Sequence, residues 1–200
     1  MEQLNIDKEL ETVYTVHIGN NSGLIKKIVS LYFNPGDNIA DVTYGKGVFW
    51  KEVDTTKYEV VGSDIKTGID FRNLPYASKS FNHSVLDPPY ARITNLKGMV
   101  ECYNTTRHIT HEDIIELYRE GLQELKRITK QKGYILCKCQ DEIYGGKQQW
   151  SHIEIYEIAA ELGLYAKDLF ILKNIRRPRP IYKQQHARKN HSYLWVFQVT

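Results

Sequence analysis

An acidic residue followed by two prolines ends a short apolar run in the segment NHSVLDPPYARI, residues 82–93. Pro88 and Pro89 cannot donate to a sheet ladder, so a strand must end at Asp87 or directly after it. The Asp87 carboxylate therefore lies at a strand end, beside a stiff turn whose carbonyls have few local donors. Such a turn suits a pocket that binds a group with hydrogens to donate.

A glycine turn follows an earlier apolar stretch, in the segment DVTYGKG of residues 41–47. Glycines after a first strand let a ligand approach the backbone closely and direct helix N–H groups towards it. A dinucleotide fingerprint would need a third glycine where the chain has Trp50, so a pyrophosphate site is disfavoured. Asp64 ends the next apolar stretch, where a carboxylate can accept hydrogen bonds from ribose hydroxyls.

One basic segment, KNIRRPRPIYKQQHARKNH at residues 173–191, holds seven Lys/Arg and no acid. The whole chain has a formal net charge of +3, and without the segment 20 basic residues would stand against 24 acidic ones. Such an asymmetry is typical of a protein that binds a polyanion, although a solvated loop without a partner is the alternative. The residues expected to contact phosphates are Arg176, Arg177, Arg179, Lys183, Arg188 and Lys189.

The elements that must position these residues alternate between helical periods and short apolar stretches. Helices are predicted over residues 22–33, 110–133 and 151–163, and strands over 38–42, 58–65, 81–87, 134–139, 169–173 and 192–199. The predicted capping residues are Asn21 or Ser22 for the first helix, the pairs Thr110/Asp113 and Ser151/Glu154 as capping boxes, and Gly163 as a C-terminal glycine.

This alternation predicts an α/β domain with a mostly parallel sheet. No helix separates the last two strands, so the final strand is expected to return antiparallel. Asp41, Asp64 and Asp87 fall at the carboxyl ends of strands, where ligands gather in open sheets. A single domain over 1–200 is predicted, with an N-terminal helical segment at 1–37 and a basic loop at 173–191.

Composition places the chain among ordinary soluble proteins. Hydrophobic residues make up 42% and charged residues 26%, and the acidic N-terminus lacks the pattern of a signal peptide. A cytoplasmic protein without a membrane partner is therefore expected. The three cysteines, Cys102, Cys137 and Cys139, lack the spacing of a common zinc site, so no metal is predicted.

The two motifs together resemble those of class I S-adenosylmethionine-dependent amino-methyltransferases, which methylate exocyclic nitrogens of nucleobases. DPPY is typical of DNA adenine-N6 enzymes and sometimes of cytosine-N4 enzymes. The stretch of residues 68–90 and the ending HSYLWVF also resemble small phage- and prophage-type members. The family often has an aromatic residue two positions after the first acid, where this chain has Thr43, followed by Tyr44.

The resemblance implies a Rossmann-like methyltransferase fold, S-adenosyl-L-methionine as cofactor and a role for each motif residue. Asp87 and the Pro88 carbonyl would each accept one N–H of the target amine, and Tyr90 would stack on the base. A base within a duplex would have to be flipped out. The cofactor residues implied are Asp41 and Thr43 by the methionine moiety, Gly45 and Gly47 in the turn, Asp64 at the ribose, and Asp70 with Phe71 at the adenine.

Several alternatives stay open at the level of sequence. The substrate could be cytosine-N4 in DNA, an amine in RNA or a protein glutamine amide, although RNA and protein enzymes of this kind usually carry Asn-Pro-Pro-Tyr. A catalytically silent nucleic-acid-binding module with the same fold is a further alternative. Carbon-5 cytosine methylation is disfavoured because no cysteine follows a proline. The recognition sequence and the oligomeric state cannot be read from the sequence.

Overall fold

The computed structural model describes residues 12–88, 110–175 and 183–200. Predictions for Pro89, Tyr90, Cys102, Arg176, Arg177 and Arg179 therefore lie outside the described residues. The helices are α1 (Asn21–Tyr32), α2 (His111–Ile128) and α3 (Ser151–Glu161). The strands are β1 (Val16–Gly19), β2 (Asn38–Asp41), β3 (Glu59–Gly62), β4 (Phe81–Leu86), β5 (Thr129–Cys139), β6 (Glu142–Tyr144), β7 (Lys147–Gln149), β8 (Leu164–Asn174) and β9 (His191–Val199).

Seven strands form one mixed sheet in the order β1-β8-β9-β5-β4-β2-β3, while β6 and β7 form a separate hairpin. Strands β2 to β5 pair in parallel, and β9 is antiparallel to both β5 and β8. The predicted fold class, including the antiparallel last strand, is confirmed. The sheet also gains β1, which pairs in parallel with β8 and was not predicted, so residues 1–37 are not only helical.

Both faces of the sheet are buried, which explains why its central strands are continuous apolar runs. Val85 and Leu136 face α1, whose Leu24, Ile25 and Ile28 are fully buried against them. On the opposite face α2 and α3 cover the sheet with the buried side chains of Tyr118, Leu122, Leu125, Ile155 and Ile158. Among the described residues, no helix combines the length and the apolar character needed to cross a membrane.

The helix termini only partly follow the predicted caps. The cap of α1 is Asn20, whose side chain accepts the Gly23 N–H at 2.7 Å, so the predicted Asn21 and Ser22 were wrong. The capping box at the start of α2 and the left-handed glycine at 163 after α3 are confirmed. The predicted Ser151/Glu154 capping box was wrong, because the N-cap of α3 is Trp150, which makes no side-chain cap hydrogen bond. The Glu154 carboxylate lies 2.9 Å from the His111 ring.

The predicted boundaries around β5 and β8 were also wrong. Helix α2 ends at Ile128, and β5 begins at the next residue rather than after Gly133. At Gly133 a side chain would lie 2.1 Å from the Asn82 carbonyl, so only glycine allows β4 this close. Strand β8 extends to Asn174 and β9 starts at His191, so the basic loop is shorter than the predicted 173–191.

Candidate functional site

Three acids meet at the carboxyl edge of the sheet because their strands are neighbours. Asp41 is the last residue of β2, which lies between β3 and β4. Its backbone is in register with Gly62 of β3 and Val85 of β4. Asp87 follows β4 directly and Asp64 follows β3 after Ser63, so all three carboxylates lie at one edge.

Asp41 is a buried acid whose oxygens are both occupied. One oxygen accepts the indole N–H of Trp50 at 2.7 Å, and the other accepts the Thr43 N–H at 3.2 Å. Burial raises the pKa of Asp41 to about 7, because loss of solvation outweighs these two hydrogen bonds. Trp50, which stands where a dinucleotide motif would have its third glycine, therefore holds the Asp41 carboxylate through its indole N–H. Near neutral pH this carboxyl group is poised between its charged and neutral forms.

The turn after β2 is tied to the end of β3 by backbone contacts. The Tyr44 N–H donates to the Ser63 carbonyl at 3.0 Å, and the Gly45 N–H donates to Asp64 Oδ2 at 3.1 Å. Gly45 and Gly47 have φ of +53° and +63°, which a non-glycine residue rarely adopts. The turn thus presents exposed backbone beside the Asp64 carboxylate.

The Tyr44 ring lies across two glycines, which the sequence did not indicate. A Cβ at Gly62 would lie 2.5 Å from Tyr44 Cγ, and one at Gly47 would lie 2.7 Å from the Tyr44 hydroxyl oxygen. Neither position can therefore accept a side chain while the ring stays there. The Tyr44 ring can therefore lie here only because residues 47 and 62 are glycines, the first in the predicted motif and the second at the end of β3.

Asp64 and Ser63 form the second part of the site. The Asp64 side chain accepts the Lys66 N–H at 2.9 Å and makes a capping box with Thr67 at the start of a short 3-10 helix. The Ser63 hydroxyl is buried and has no hydrogen-bond partner among the described residues. A buried hydroxyl of this kind is an available contact for a polar ligand, and the sequence reasoning missed it.

Asp70 and Phe71 are placed differently from each other. Both Asp70 oxygens are bound by Arg72, through Nε at 3.0 Å and Nη2 at 2.6 Å. Burial opposes ionisation of Asp70, but the Arg72 hydrogen bonds outweigh it and lower the pKa. Phe71 is only 2% exposed and packs in the core beside Gly121 of α2. Phe71 is therefore a core residue, and its place beside the cofactor adenine stays a prediction.

Asp87 is held by its backbone, while one of its carboxylate oxygens has no hydrogen-bond partner among the described residues. Its N–H donates to the Thr43 hydroxyl at 2.7 Å, which joins the end of β4 to the glycine turn. Oδ1 is buried and accepts no hydrogen bond from any described residue. Pro88, which follows, is buried. The predicted turn therefore presents a buried acceptor next to the turn after β2.

Lys138 is the charged neighbour of Asp87 that the sequence reasoning missed. Its side chain is 3% exposed, and its Nζ lies 3.7 Å from Asp87 Oδ1. Burial raises the pKa of Asp87, and the Lys138 ammonium opposes that rise. A lysine between Cys137 and Cys139 in an apolar strand was the available signal. Residues 135–139 of β5 are all buried, so the Lys138 side chain is buried as well, and it lies beside the Asp87 carboxylate.

Within the described part of the basic segment, Lys189 contacts the β6–β7 hairpin. Lys183 and Arg188 are exposed, whereas Lys189 donates from Nζ to Gln148 Oε1 of β7. The same ammonium lies 5.8 Å from the centre of the Trp150 ring. Within the described ranges, no group of three or more His, Cys, Asp or Glu side chains could hold a metal ion.

Comparison with known proteins gives a fold. No protein-family model matches the chain, and no curated protein matches it. A SAM-dependent methyltransferase from Methanosarcina mazei superposes with a TM-score of 0.53 at 12% identity, over 86% of this chain and 96% of that one. The chain has the fold of this methyltransferase.

Two further solved structures give similar values. TrmN from Thermus thermophilus has a TM-score of 0.54 at 14% identity, over 88% of this chain and 48% of that one. The PH0226 protein from Pyrococcus horikoshii OT3 has a TM-score of 0.51 at 14% identity, over 87% of each chain. Identities this low support the architecture alone, so the chemistry has to be argued from the site.

Proposed function

We propose that the protein is an S-adenosyl-L-methionine-dependent methyltransferase that acts on the exocyclic amine of a nucleobase, with adenine-N6 in DNA as the favoured target. The observation that carries this proposal is the buried Asp87 Oδ1, which has no hydrogen bond among the described residues. Its backbone is bonded to Thr43 of the glycine turn. An acceptor for an amine therefore lies directly beside the proposed cofactor turn.

The residues at the strand ends fit the proposed cofactor. Gly45 leaves space above the turn, because a Cβ there would come no closer than 3.9 Å to the Thr43 carbonyl. The Asp64 carboxylate could accept hydrogen bonds from ribose hydroxyls, and so could the Ser63 hydroxyl, which has no partner among the described residues. The Asp41 carboxyl group, when ionised, would attract the cationic methionine moiety. When bound, the cofactor supplies an electrophilic methyl group carried on a sulfonium.

The chemistry assigned to this chain is activation of a weak nucleophile. The lone pair of an exocyclic amine is delocalised into the base. If Asp87 and the Pro88 carbonyl each accept one N–H, the nitrogen moves towards tetrahedral geometry and its lone pair becomes available. With the cofactor bound, the nitrogen would form a bond to the methyl carbon while the bond between that carbon and sulfur breaks, which would leave a neutral thioether. The proton that the nitrogen loses would pass to the Asp87 carboxylate. Tyr90 is assigned to stack on the base.

A nucleic acid is the proposed carrier of the base because the positive charge is concentrated in one segment. The residues assigned to phosphates are Arg176, Arg177, Arg179, Lys183, Arg188 and Lys189. Adenine-N6 in DNA is favoured by the aspartate at position 87. The same geometry would accept the amine of cytosine, or a base in RNA.

The test is to incubate the protein and S-adenosyl-L-methionine with separate pools of DNA and RNA. Nucleosides released from each pool are then identified by mass spectrometry. N6-methyladenine in the DNA pool is the expected product. N4-methylcytosine in DNA, or a methylated base in RNA alone, would correct the target. Cofactor binding without any methylated nucleoside would contradict the proposed reaction.

A further inference from the structure

Trp150 exposes a large aromatic surface where the β6–β7 hairpin runs into α3. Its exposed fraction is 52%, whereas Trp50 is 5% exposed. The Trp150 backbone is fixed, because its carbonyl accepts the Ile153 N–H at 2.9 Å and the Glu154 N–H at 3.2 Å. Single exposed apolar residues are common and need no explanation, so the surroundings of this one decide its meaning.

The Trp150 side chain rests on a rigid aromatic series. Its ring meets the His152 ring edge-on, with centroids 6.2 Å apart and planes at 79°. His152 in turn stacks on Tyr193 at 4.1 Å and 16°. Asp141 holds both of them, with Oδ1 2.7 Å from His152 Nδ1 and Oδ2 accepting the Tyr193 hydroxyl at 3.4 Å. A platform built this way loses little conformational freedom when a ligand binds.

Positively charged side chains lie next to Trp150 in space or in sequence, while the nearby Glu154 carboxylate is paired with the His111 ring. The Lys189 ammonium lies 5.8 Å from the ring centroid. Lys147 is exposed on β7, and Arg188 is exposed next to Lys189 in the chain. Residues 183–200 contain no acid. The acids of the hairpin base are engaged elsewhere, since Asp141 and Glu142 are buried against histidine rings. An exposed indole beside cations fits a base and its phosphates.

This surface lies at the same edge of the sheet as Asp87. Lys138 of β5 contacts Asp87, and Asp141 follows three residues later at the base of the hairpin. Cys139 of β5 is in register with Tyr193 of β9, the residue on which His152 stacks. The aromatic series therefore begins within a few residues of the proposed base pocket and ends at the exposed Trp150 ring.

We propose that Trp150 is a stacking platform for an unpaired base of a single-stranded segment, with Lys189 and Arg188 binding its phosphates. The inference rests on the proposed function and deepens it, because it names the form of nucleic acid that flanks the target base. A paired base in a duplex offers no free face to an indole, so a stacking contact selects an unpaired strand.

The test measures the binding of a labelled single-stranded oligonucleotide by fluorescence anisotropy. Trp150→Ala should raise Kd by about 5- to 100-fold, which corresponds to loss of one base–aromatic stack. Trp150→Phe, which keeps an aromatic face, should recover part of the loss. Tyr156→Ala is the matched control, because Tyr156 is an exposed aromatic residue of α3 that stacks on Trp195. Its Kd should equal that of the wild type.

A scan with abasic nucleotides adds a second test. At one position of the strand, removing the base should weaken wild-type binding and leave binding by Trp150→Ala unchanged. Unaltered affinity of Trp150→Ala, or an equal effect of every abasic position in both proteins, would overturn the stacking role. Methyl transfer with unaltered affinity would leave the proposed function standing. If Trp150→Ala binds the oligonucleotide more weakly but the wild type transfers no methyl group, the stacking role would stand and only the proposed reaction would be refuted.

Discussion

At the scale of single residues, the proposed chemistry depends on two carboxyl groups with different surroundings, the buried Asp41 and the half-buried Asp87. Asp41 is satisfied by two N–H donors, whereas Asp87 Oδ1 accepts no hydrogen bond within the described ranges and has an ammonium at 3.7 Å. The first group can respond to a bound cation, and the second can accept an N–H. The next two predictions concern the protonation of Asp41 and of Asp87.

Binding of the cofactor should release a proton through Asp41. The pKa of about 7 means that Asp41 is partly protonated at neutral pH, and a nearby cationic methionine moiety favours its charged form. Calorimetry in buffers of different ionisation enthalpy should therefore show proton release near pH 7. Asp41→Asn keeps an acceptor for Trp50 and should abolish the release. Equal release by both proteins would place the coupled proton elsewhere.

Removing the Lys138 charge should raise the pKa of Asp87. Within the part of the chain that the structure describes, the other titratable groups that interact electrostatically with Asp87 are Asp41, Cys137 and Cys139, and none of these supplies a positive charge. In Lys138→Met the carboxyl carbon of Asp87, followed by carbon NMR, should titrate at higher pH than in the wild type. The acid limb of the pH–rate profile should move in the same direction.

Lys138→Arg is the matched control for this shift, because it keeps the positive charge. Its titration should lie closer to that of the wild type than to that of Lys138→Met, and Asp87→Asn assigns the resonance. A titration midpoint of Asp87 that is unchanged in Lys138→Met would show that the ammonium does not set the charge of Asp87.

At the scale of elements, His111 joins the start of α2 to the hairpin and to α3. Its two ring nitrogens lie 3.0 Å from Glu142 Oε1 and 2.9 Å from Glu154 Oε1. Burial alone would lower the pKa of His111, but these carboxylates outweigh it and raise the pKa. The protonated imidazole therefore holds three elements together at the edge that carries the site.

The contribution of His111 to stability should depend on pH. A raised folded-state pKa gives stability that is fully present below the unfolded value of about 6.5 and is lost as pH rises through the folded value. The difference in unfolding free energy between wild type and His111→Gln, from urea titrations, should therefore shrink from pH 6 to pH 9. The exposed His186→Gln serves as control. A difference in unfolding free energy that stays constant with pH would contradict a stabilising role for the ion pairs of protonated His111 with Glu142 and Glu154.

The local elements were largely predictable, and the departures have a common cause. Proline chemistry places the end of β4, and the period of α2 and its capping box are local signals that the fold kept. Glu154 was predicted to cap its own helix, yet it binds His111 of another element. A side chain that reaches across the fold leaves no trace in the spacing of its neighbours. Short β1 and the β6–β7 hairpin were also missed, although the Gly145–Gly146 pair between β6 and β7 is a local hairpin signal.

The candidate site likewise has features that the sequence predicts and features that it does not. The carboxylates Asp41, Asp64 and Asp87 could be predicted because strand ends are readable. Three features depend on how the strands are ordered: the burial of Lys138 beside Asp87, the Tyr44 ring over two glycines, and the Ser63 hydroxyl, which has no hydrogen-bond partner among the described residues. That order is a property of the whole sheet.

At the scale of the whole molecule, the charge asymmetry should set the salt dependence of nucleic-acid binding. If Arg176 and Arg177 contact phosphates, each contact contributes about 0.9 to the slope of log affinity against log salt on a duplex, or about 0.7 on a single strand. The double variant Arg176→Ala/Arg177→Ala should lose about two contacts' worth of slope on every sequence.

A second double variant controls for net charge. Lys51→Ala/Lys57→Ala removes the same charge from exposed positions outside the basic segment. Its slope should equal that of the wild type, as measured by anisotropy from low to high salt. An unaltered slope in the arginine double variant, or equal losses in both, would leave the basic segment as a solvated loop.

The most direct test of the account separates cofactor binding from methyl transfer at Asp87. Asp87→Ala removes the proposed acceptor of the amine and leaves the glycine turn in place. Calorimetry should give a cofactor affinity close to that of the wild type, while methyl transfer to nucleic acid falls below a few per cent. Asp64→Ala is the matched comparison, and its cofactor binding should weaken by roughly 1–3 kcal/mol. A folded Asp87→Ala protein that still transfers methyl groups at a substantial rate would contradict the central claim.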